Sequence, residues 1–258
     1  MHDKQRLPAA QGPPVKSKRP VKKPVASNVD LREQLVNEGL VGPIHEVSIP
    51  AEMITRLNGI MLDIDPSLWS RGAALGLRKE PAAFFENVVE PMLSRHSILS
   101  SAEARNSGTG LHIIVWLKPG VEFANDGDRD RWAGAVKAVQ HALPTDPNCP
   151  GITALTRPVG SVNGKNNAKV NRLKSGMPVT PEAVLAFCEQ LRVKPFKTIG
   201  TILFGDGPVT PCPLCTEAGS RLGLLDHHGM CYGHCGRISL GLAFSHFFKA
   251  IKVGGPES

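Results

Sequence analysis

Apolar and polar residues alternate with two different periods along the chain. Gly59–Ile64 and Leu111–Leu117 have the dense apolar character of buried strands, and Ile44–Ile49 and Ile98–Ser101 read the same way. Between them, Pro81–His96 places Phe84, Phe85, Val88, Val89 and Met92 at helical spacing, with Pro91 expected to kink or divide the helix. Asp128–Leu143 reads as a second helix that buries Trp132, Val136, Val139 and Leu143 on one stripe. Thr180 then supplies an N-cap and Pro181 a first helical residue, and Val184, Phe187, Cys188 and Leu191 form the apolar face that follows. Val29–Glu38, between Asn28 and Gly39, reads as a short helix near the start, Thr201–Phe204 as a late strand and Ile238–Ile251 as a closing apolar helix. Strands alternating with helices predict an α/β or α+β sheet domain.

With 258 residues, 41% of them hydrophobic, the chain can bury one core and one small accessory module. No apolar run approaches the ~20 residues of a membrane helix, so a membrane role is not expected. The net charge of +7 is concentrated at the N-terminus. There Lys4, Arg6, Lys16, Lys18, Arg19, Lys22 and Lys23 oppose only Asp3, which predicts a disordered, proline-rich basic tail over residues 1–28. Four of the six cysteines fall between residues 212 and 235, a spacing that points to metal binding in a reducing compartment and hence to an intracellular, cytoplasmic protein. The expected organisation is a tail over 1–28, a catalytic domain over 29–195 and a cysteine module over 196–258.

Chemistry concentrates in three segments. In Gly59-Ile-Met-Leu-Asp-Ile-Asp65 the two aspartates are two apart, so a strand would aim Asp63 and Asp65 at the same side. Two carboxylates that close call for a divalent cation. Magnesium or manganese meets that need, and a two-ion site can activate a 3′-hydroxyl while stabilising leaving pyrophosphate. The same pattern also suits a turn before Pro66, or the DxD pair of a metal-dependent glycosyltransferase. Ser107-Gly-Thr-Gly-Leu-His112 lets backbone amides approach an anion and would set His112 beside a phosphate. Thr156–Lys165 gathers Arg157, Asn163 and Lys165 around a glycine-containing turn suited to gripping a triphosphate. It is not a P-loop, because Gly160 and Gly164 are one residue too close and Asn166 stands where Ser or Thr is required.

These segments, in this order, resemble the archaeo-eukaryotic primase superfamily, especially the primase-polymerases of plasmids, phages and other mobile elements. Leu62-Asp63-Ile-Asp65 matches the family's DxD or DxE strand, Ser107–His112 its Ser/Gly turn with histidine, and Arg157–Lys165 its basic stretch. Arg157-Pro-Val-Gly-Ser161 departs from the Arg-Leu-Pro-Gly-Thr of many relatives. The resemblance covers roughly residues 44–175 and implies an α+β primase core with an RRM-like antiparallel or mixed sheet flanked by helices. It further implies two Mg2+ or Mn2+ ions on Asp63, Asp65 and a third carboxylate. Asp146 is the best-placed candidate, since Asp126, Asp128 and Asp130 sit where a helix should begin. Ser107, His112, Arg157 and Lys165 would hold the phosphates of an incoming NTP or dNTP on a single-stranded DNA template. With no helicase motif present, unwinding falls to a separate replicative helicase. A primase fold that binds nucleic acid without catalysis is the alternative.

Cys212-Pro-Leu-Cys215 and Cys231-Tyr-Gly-His-Cys235 form two ligand pairs with the spacing of a zinc ribbon, expected to hold one structural zinc. The fourth ligand is either His234 or Cys235, and Gly236 favours Cys235. Arg221, His227, His228 and Arg237 give the module a modest positive charge for nucleic-acid contact. Cys149 and Cys188 have no partners in sequence and read as packed residues.

Overall fold

The computed structural model describes residues 49–69, 77 and 79–247. The basic tail, the expected helix Val29–Glu38 and all of the expected strand Ile44–Ile49 except buried Ile49 lie outside the described residues. The fold is mixed α+β. Four antiparallel strands form the main sheet in the order β1-β3-β2-β4: β1 (Arg56–Ile64), β2 (Glu103–Asn106), β3 (Leu111–Glu122) and β4 (Asn171–Lys174).

Register gives the sheet two unlike faces. Ile60 pairs with Val115, Leu62 with Ile113 and Ile64 with Leu111, and all six side chains enter the main core. One residue out of phase, Met61 pairs with Ile114 and Asp63 with His112; on this opposite face Met61 and Ile114 join Cys149 and Ala154 in a small separate cluster, and Asp63 and His112 stand beside it. Trp116 on that face lies over Gly59, where a Cβ would come within 3.0 Å of its ring.

Helices cover the apolar face. The segment predicted as one helix over Pro81–His96 is three pieces: α1 (Pro81–Phe84), a π-helical turn (Phe85–Val89) and α2 (Glu90–Leu93). Pro91 has no N–H to donate to Asn87, and the hydrogen-bond register widens just ahead of it. Ile98–Ser101, expected as a strand, forms instead the short helix α3 (Ser97–Ser100), and the strand begins three residues later at Glu103. The helix expected at Asp128–Leu143 is α4 (Asp126–Gln140), capped by Asn125 accepting from the Asp128 N–H at 3.0 Å; Trp132, Val136, Val139 and Leu143 are all buried. Helix α5 (Pro181–Val193) starts as expected, with the Thr180 hydroxyl accepting from the Ala183 N–H at 3.3 Å.

Thr201–Phe204 is not a strand but the end of helix α6 (Pro195–Phe204). Its Phe196 belongs to a small second core, whereas Ile199, Ile202 and Leu203 belong to the main one. Arg95 Nη1 donates to the Ile202 and Leu203 carbonyls at 3.0 and 2.7 Å, satisfying the helix C-terminus. The second core lies under a three-stranded antiparallel sheet, β5 (Leu222–Leu224), β6 (Gly229–Cys231) and β7 (Gly236–Ile238), followed by α7 (Leu240–Ser245). The helix expected over Ile238–Ile251 therefore begins after a strand, and its last residues lie outside the described ones.

Because α6 ties both cores together, Ile202→Ala is expected to cost about 2–5 kcal/mol of folding stability. Val193→Ala, at an exposed position on α5, should stay within about 0.5 kcal/mol. Urea denaturation of the two variants checks the difference; equal effects would mean that α6 is not packed as described.

Candidate active site and metal centre

The site forms at the end of the polar face where β1 terminates. Asp63 is the penultimate residue of β1, half-buried, with His112 as its neighbour across β3 and Arg105 and Arg172 continuing the same row on β2 and β4. Asp65 lies just beyond the strand. One of its carboxylate oxygens accepts from the Ser67 N–H at 2.8 Å and caps the 3-10 turn Pro66–Leu68. The aspartate that starts a turn and the aspartate that faces a site are thus two members of one pair.

Asp146 comes from the loop after α4, and the sequence alone placed it only by resemblance. Its backbone N–H donates to the Asp63 carbonyl at 2.8 Å, which docks this loop against β1, while its carboxylate accepts from the Asn148 N–H at 2.8 Å. The Asp63 carboxyl is pushed up from its ordinary 3.8 to about 6, by burial first and then by the charges of Asp146 and Asp65; Arg157 and Lys165 act in the opposite direction. Five residues from three loops and one strand therefore share one electrostatic neighbourhood. Among the described residues the three aspartates do not close as tightly as the cysteines do, whose ligand atoms all lie within 4.8 Å of one another. Asp126 and Asp128 sit in the first turn of α4, where Asp126 pairs with Arg129.

The glycine turn and the basic stretch are held together by Asn163. Its side-chain N–H donates to the Ser107 carbonyl at 2.7 Å and its Oδ1 accepts from the Lys165 N–H at 3.0 Å. Gly108 adopts φ +123°, and a Cβ there would meet the Asn163 amide at 2.6 Å. Asn163 is 5% exposed with its amide committed, so its place is that of a clasp between loops. Ser107 is also buried, its N–H donating to the Gly110 carbonyl at 2.8 Å. Arg157 is half-buried and Lys165 exposed.

His112 is 4% exposed and shares a 2.9 Å hydrogen bond between Nδ1 and the Thr156 hydroxyl. Burial, followed by the charges of Arg157 and Arg105, lowers its pKa to about 4. The ring is therefore neutral at physiological pH. In that state the ring can donate a hydrogen bond from one nitrogen and accept at the other.

Sequence reasoning missed Glu103, Arg105 and Arg172. The one available signal was the alternation in Glu103-Ala-Arg-Asn106 immediately before the Ser/Gly turn. That pattern closes a β2–β3 hairpin around Ser107–Gly110 and puts Glu103 and Arg105 on the polar face.

Around the three-stranded sheet, Cys212, Cys215, Cys231 and Cys235 converge, with the Cys215 and Cys231 sulfurs 3.8 Å apart. Zinc bound tetrahedrally at about 2.3 Å per thiolate requires sulfurs about 3.8 Å apart, so the donor set fits zinc. Cys235 is the fourth member. His234 points away, its side chain 78% exposed and its Nδ1 3.7 Å from Glu217. Gly236 adopts φ +65°, which lets the chain turn directly after the thiol. Cys149 is buried beside Gln140, whose side-chain amide donates to its sulfur at 3.2 Å, and Cys188 is partly buried against the main core.

No protein-family model and no curated protein matches the chain. Among solved structures it is similar to the AEP domain of the cyanophage S-2L primase-polymerase, at 16% identity and a TM-score of 0.36. The match covers 53% of this chain and 63% of that one, so it spans less than two thirds of that domain. No helix among the described residues is long and apolar enough to cross a membrane.

The crowding at Asp63 has a measurable sign. Its folded-state pKa lies above the unfolded value, so the folded protein holds that proton more tightly; the benefit is complete below about pH 4 and disappears as pH rises through about 6. With no divalent ion added, Asp63→Asn should therefore be more stable than wild type near pH 8, by up to about 3 kcal/mol, and equal to it below about pH 4. Thermal denaturation across that range checks this. An unchanged or lower melting temperature near pH 8 would mean that Asp63 is not crowded.

Proposed function

We propose that the protein is a primase-type nucleotidyltransferase that joins NTPs or dNTPs on a single-stranded DNA template in the replication of a plasmid, phage or other mobile element. One observation carries this reading: Asp63 at the end of β1 has Asp65 just beyond it and the Asp146 loop docked on its carbonyl, and the charges of Arg157 and Lys165 reach the same carboxyl. Acids crowded beyond what folding favours, with cations close by, suit a site that takes divalent ions together with a polyphosphate.

Asp63, Asp65 and Asp146 would hold two Mg2+ or Mn2+ ions. Such ions lower the pKa of an attacking hydroxyl and neutralise the leaving pyrophosphate. Arg157 and Lys165 bind the triphosphate oxygens and set the α-phosphorus for in-line attack. His112, neutral and fixed by Thr156, orients a phosphate oxygen by hydrogen bonding. Ser107 and Asn163 hold the glycine turn and the basic stretch in register. Transfer then rests on positioning and charge neutralisation, with no covalent enzyme intermediate.

Cys212, Cys215, Cys231 and Cys235 would hold one structural zinc, whose binding stabilises a module with a small core of its own. The module offers Arg221 and Arg237 to nucleic acid, and strand separation is left to a separate helicase.

Wild-type protein with a single-stranded template, labelled nucleotides and magnesium or manganese should yield extended products. Asp63→Ala/Asp65→Ala and Asp146→Asn should each reduce them by at least about 100-fold. Absence of wild-type products with both metals overturns the reading, and products that survive the double substitution overturn the ion assignment. Template binding without synthesis would indicate an inactive primase fold, and hydrolysis of a nucleotide-sugar a glycosyltransferase.

Metal analysis tests the second site. Cys235→Ser should lose the zinc and unfold the module, while His234→Ala should retain both; the reverse pattern would exchange the fourth ligand.

A further inference from the structure

The polar face of the sheet carries a second charged group, centred on Glu103, that the acidic cluster does not use. Glu103 is 7% exposed. Its Oε1 accepts from Arg105 Nε and, at 3.3 Å, from Arg172 Nε; its Oε2 accepts from the Trp116 indole N–H at 2.9 Å. Burial disfavours the charge, but the hydrogen bonds from Arg105 and Trp116 and the fields of Arg105 and Arg172 outweigh it and hold the carboxyl below its usual range. Arg105 is 8% exposed and lies over the Trp116 ring, 5.7 Å from the centroid. Its remaining reach goes to the site: Nη1 donates to the Arg157 carbonyl at 3.0 Å.

A buried ion pair is a weak source of stability, since the cost of removing both charges from water offsets their attraction and apolar residues of equal volume can do as well. What this pair supplies is direction. The planar guanidinium bridges Glu103 on β2 to the backbone of residue 157, while His112 on β3 holds the adjacent Thr156 by its hydroxyl. Two neighbouring strands thereby fix two consecutive residues of an otherwise irregular loop. Resting on the reading of Arg157 and Lys165 as triphosphate ligands, we propose that Glu103 and Arg105 are positioning residues that hold the Arg157 backbone in place for triphosphate binding. Fixing that backbone in advance removes an ordering cost that binding would otherwise have to meet.

Equilibrium titration of the full chain with ATP and with dATP in manganese, without template, tests this independently of catalysis. Glu103→Gln and Arg105→Met should each raise the dissociation constant on the order of 10-fold. Arg105→Lys keeps the charge but loses the fork, and should weaken binding as well. Val184→Ala, a core variant far from this network in sequence, supplies a comparison of similar thermal destabilisation, and its dissociation constant should stay at the wild-type value. Unchanged affinity in Glu103→Gln and Arg105→Met, or the same loss in Val184→Ala, overturns the proposal. Wild-type protein that binds ATP and makes no product would remove the polymerase reading and leave the positioning role standing. Wild-type protein that fails to bind either nucleotide removes both.

Discussion

The antiparallel register that sets Leu62 against Ile113 and Asp63 against His112 determines both faces of the main sheet together. Side chains alternate along a strand, so a slip of one residue would send Asp63 and His112 into the main core and turn Leu62 and Ile113 to the opposite face. Burial of the apolar row therefore holds the polar row in place. Asp63 is presented from a strand whose neighbours on either side, Leu62 and Ile64, are almost wholly buried. A carboxylate placed this way cannot easily swing away from the charges brought near it.

Those charges arrive on loops, and each loop is tied to the sheet by a directional bond. The Asp146 N–H reaches the Asp63 carbonyl, the Asn163 amide reaches the Ser107 carbonyl, and Arg105 and His112 reach residues 157 and 156. Loop backbone carries no ladder of its own, so these bonds replace the ordering that a strand would have provided. The consequence is electrostatic. Burial first, and then Asp146 and Asp65, raise the cost of ionising Asp63 while Arg157 and Lys165 lower it, and the net effect remains unfavourable. A cluster that opposes its own ionisation is ready to gain free energy from a cation.

Much of this was legible in the sequence where a pattern was long or chemically distinctive. The strands around Asp63 and His112, the cap at Thr180 and the four-cysteine spacing each combine periodicity with a specific residue type. Short elements were less legible. Ile98–Ser101 is apolar enough for a strand, yet four residues carry too little period to separate a helical turn from an extended segment. Glu103–Asn106 escaped notice because three of its four residues are polar, although Glu103 and Arg105 line a buried polar face and not solvent. In α6 the run Thr201-Ile-Leu-Phe204 favours a strand by propensity, and tertiary packing overrides it: Phe196, Ile199, Ile202 and Leu203 recur at helical spacing, and Arg95 receives the terminal carbonyls. The role of Asn163 was hidden for a different reason, since no local pattern distinguishes an amide that touches a ligand from one that clasps a loop.

Helix α6 also bears on how the cysteine module relates to the sheet. At Gly229 a Cβ would fall 2.5 Å from the Phe196 ring, and at Gly200 one would fall 2.9 Å from Leu224. Backbone and side chains thus meet with no room for a methyl group, at one contact on the strands and at the other on the helix. The same helix places Ile199, Ile202 and Leu203 in the main core, so displacing the module would open packing on both of its sides. A metal bound by the four cysteines would consequently stabilise β5 and β6 and, through Phe196 and Leu224, α6 as well. The cysteine module and the main core are in this way joined through a single helix.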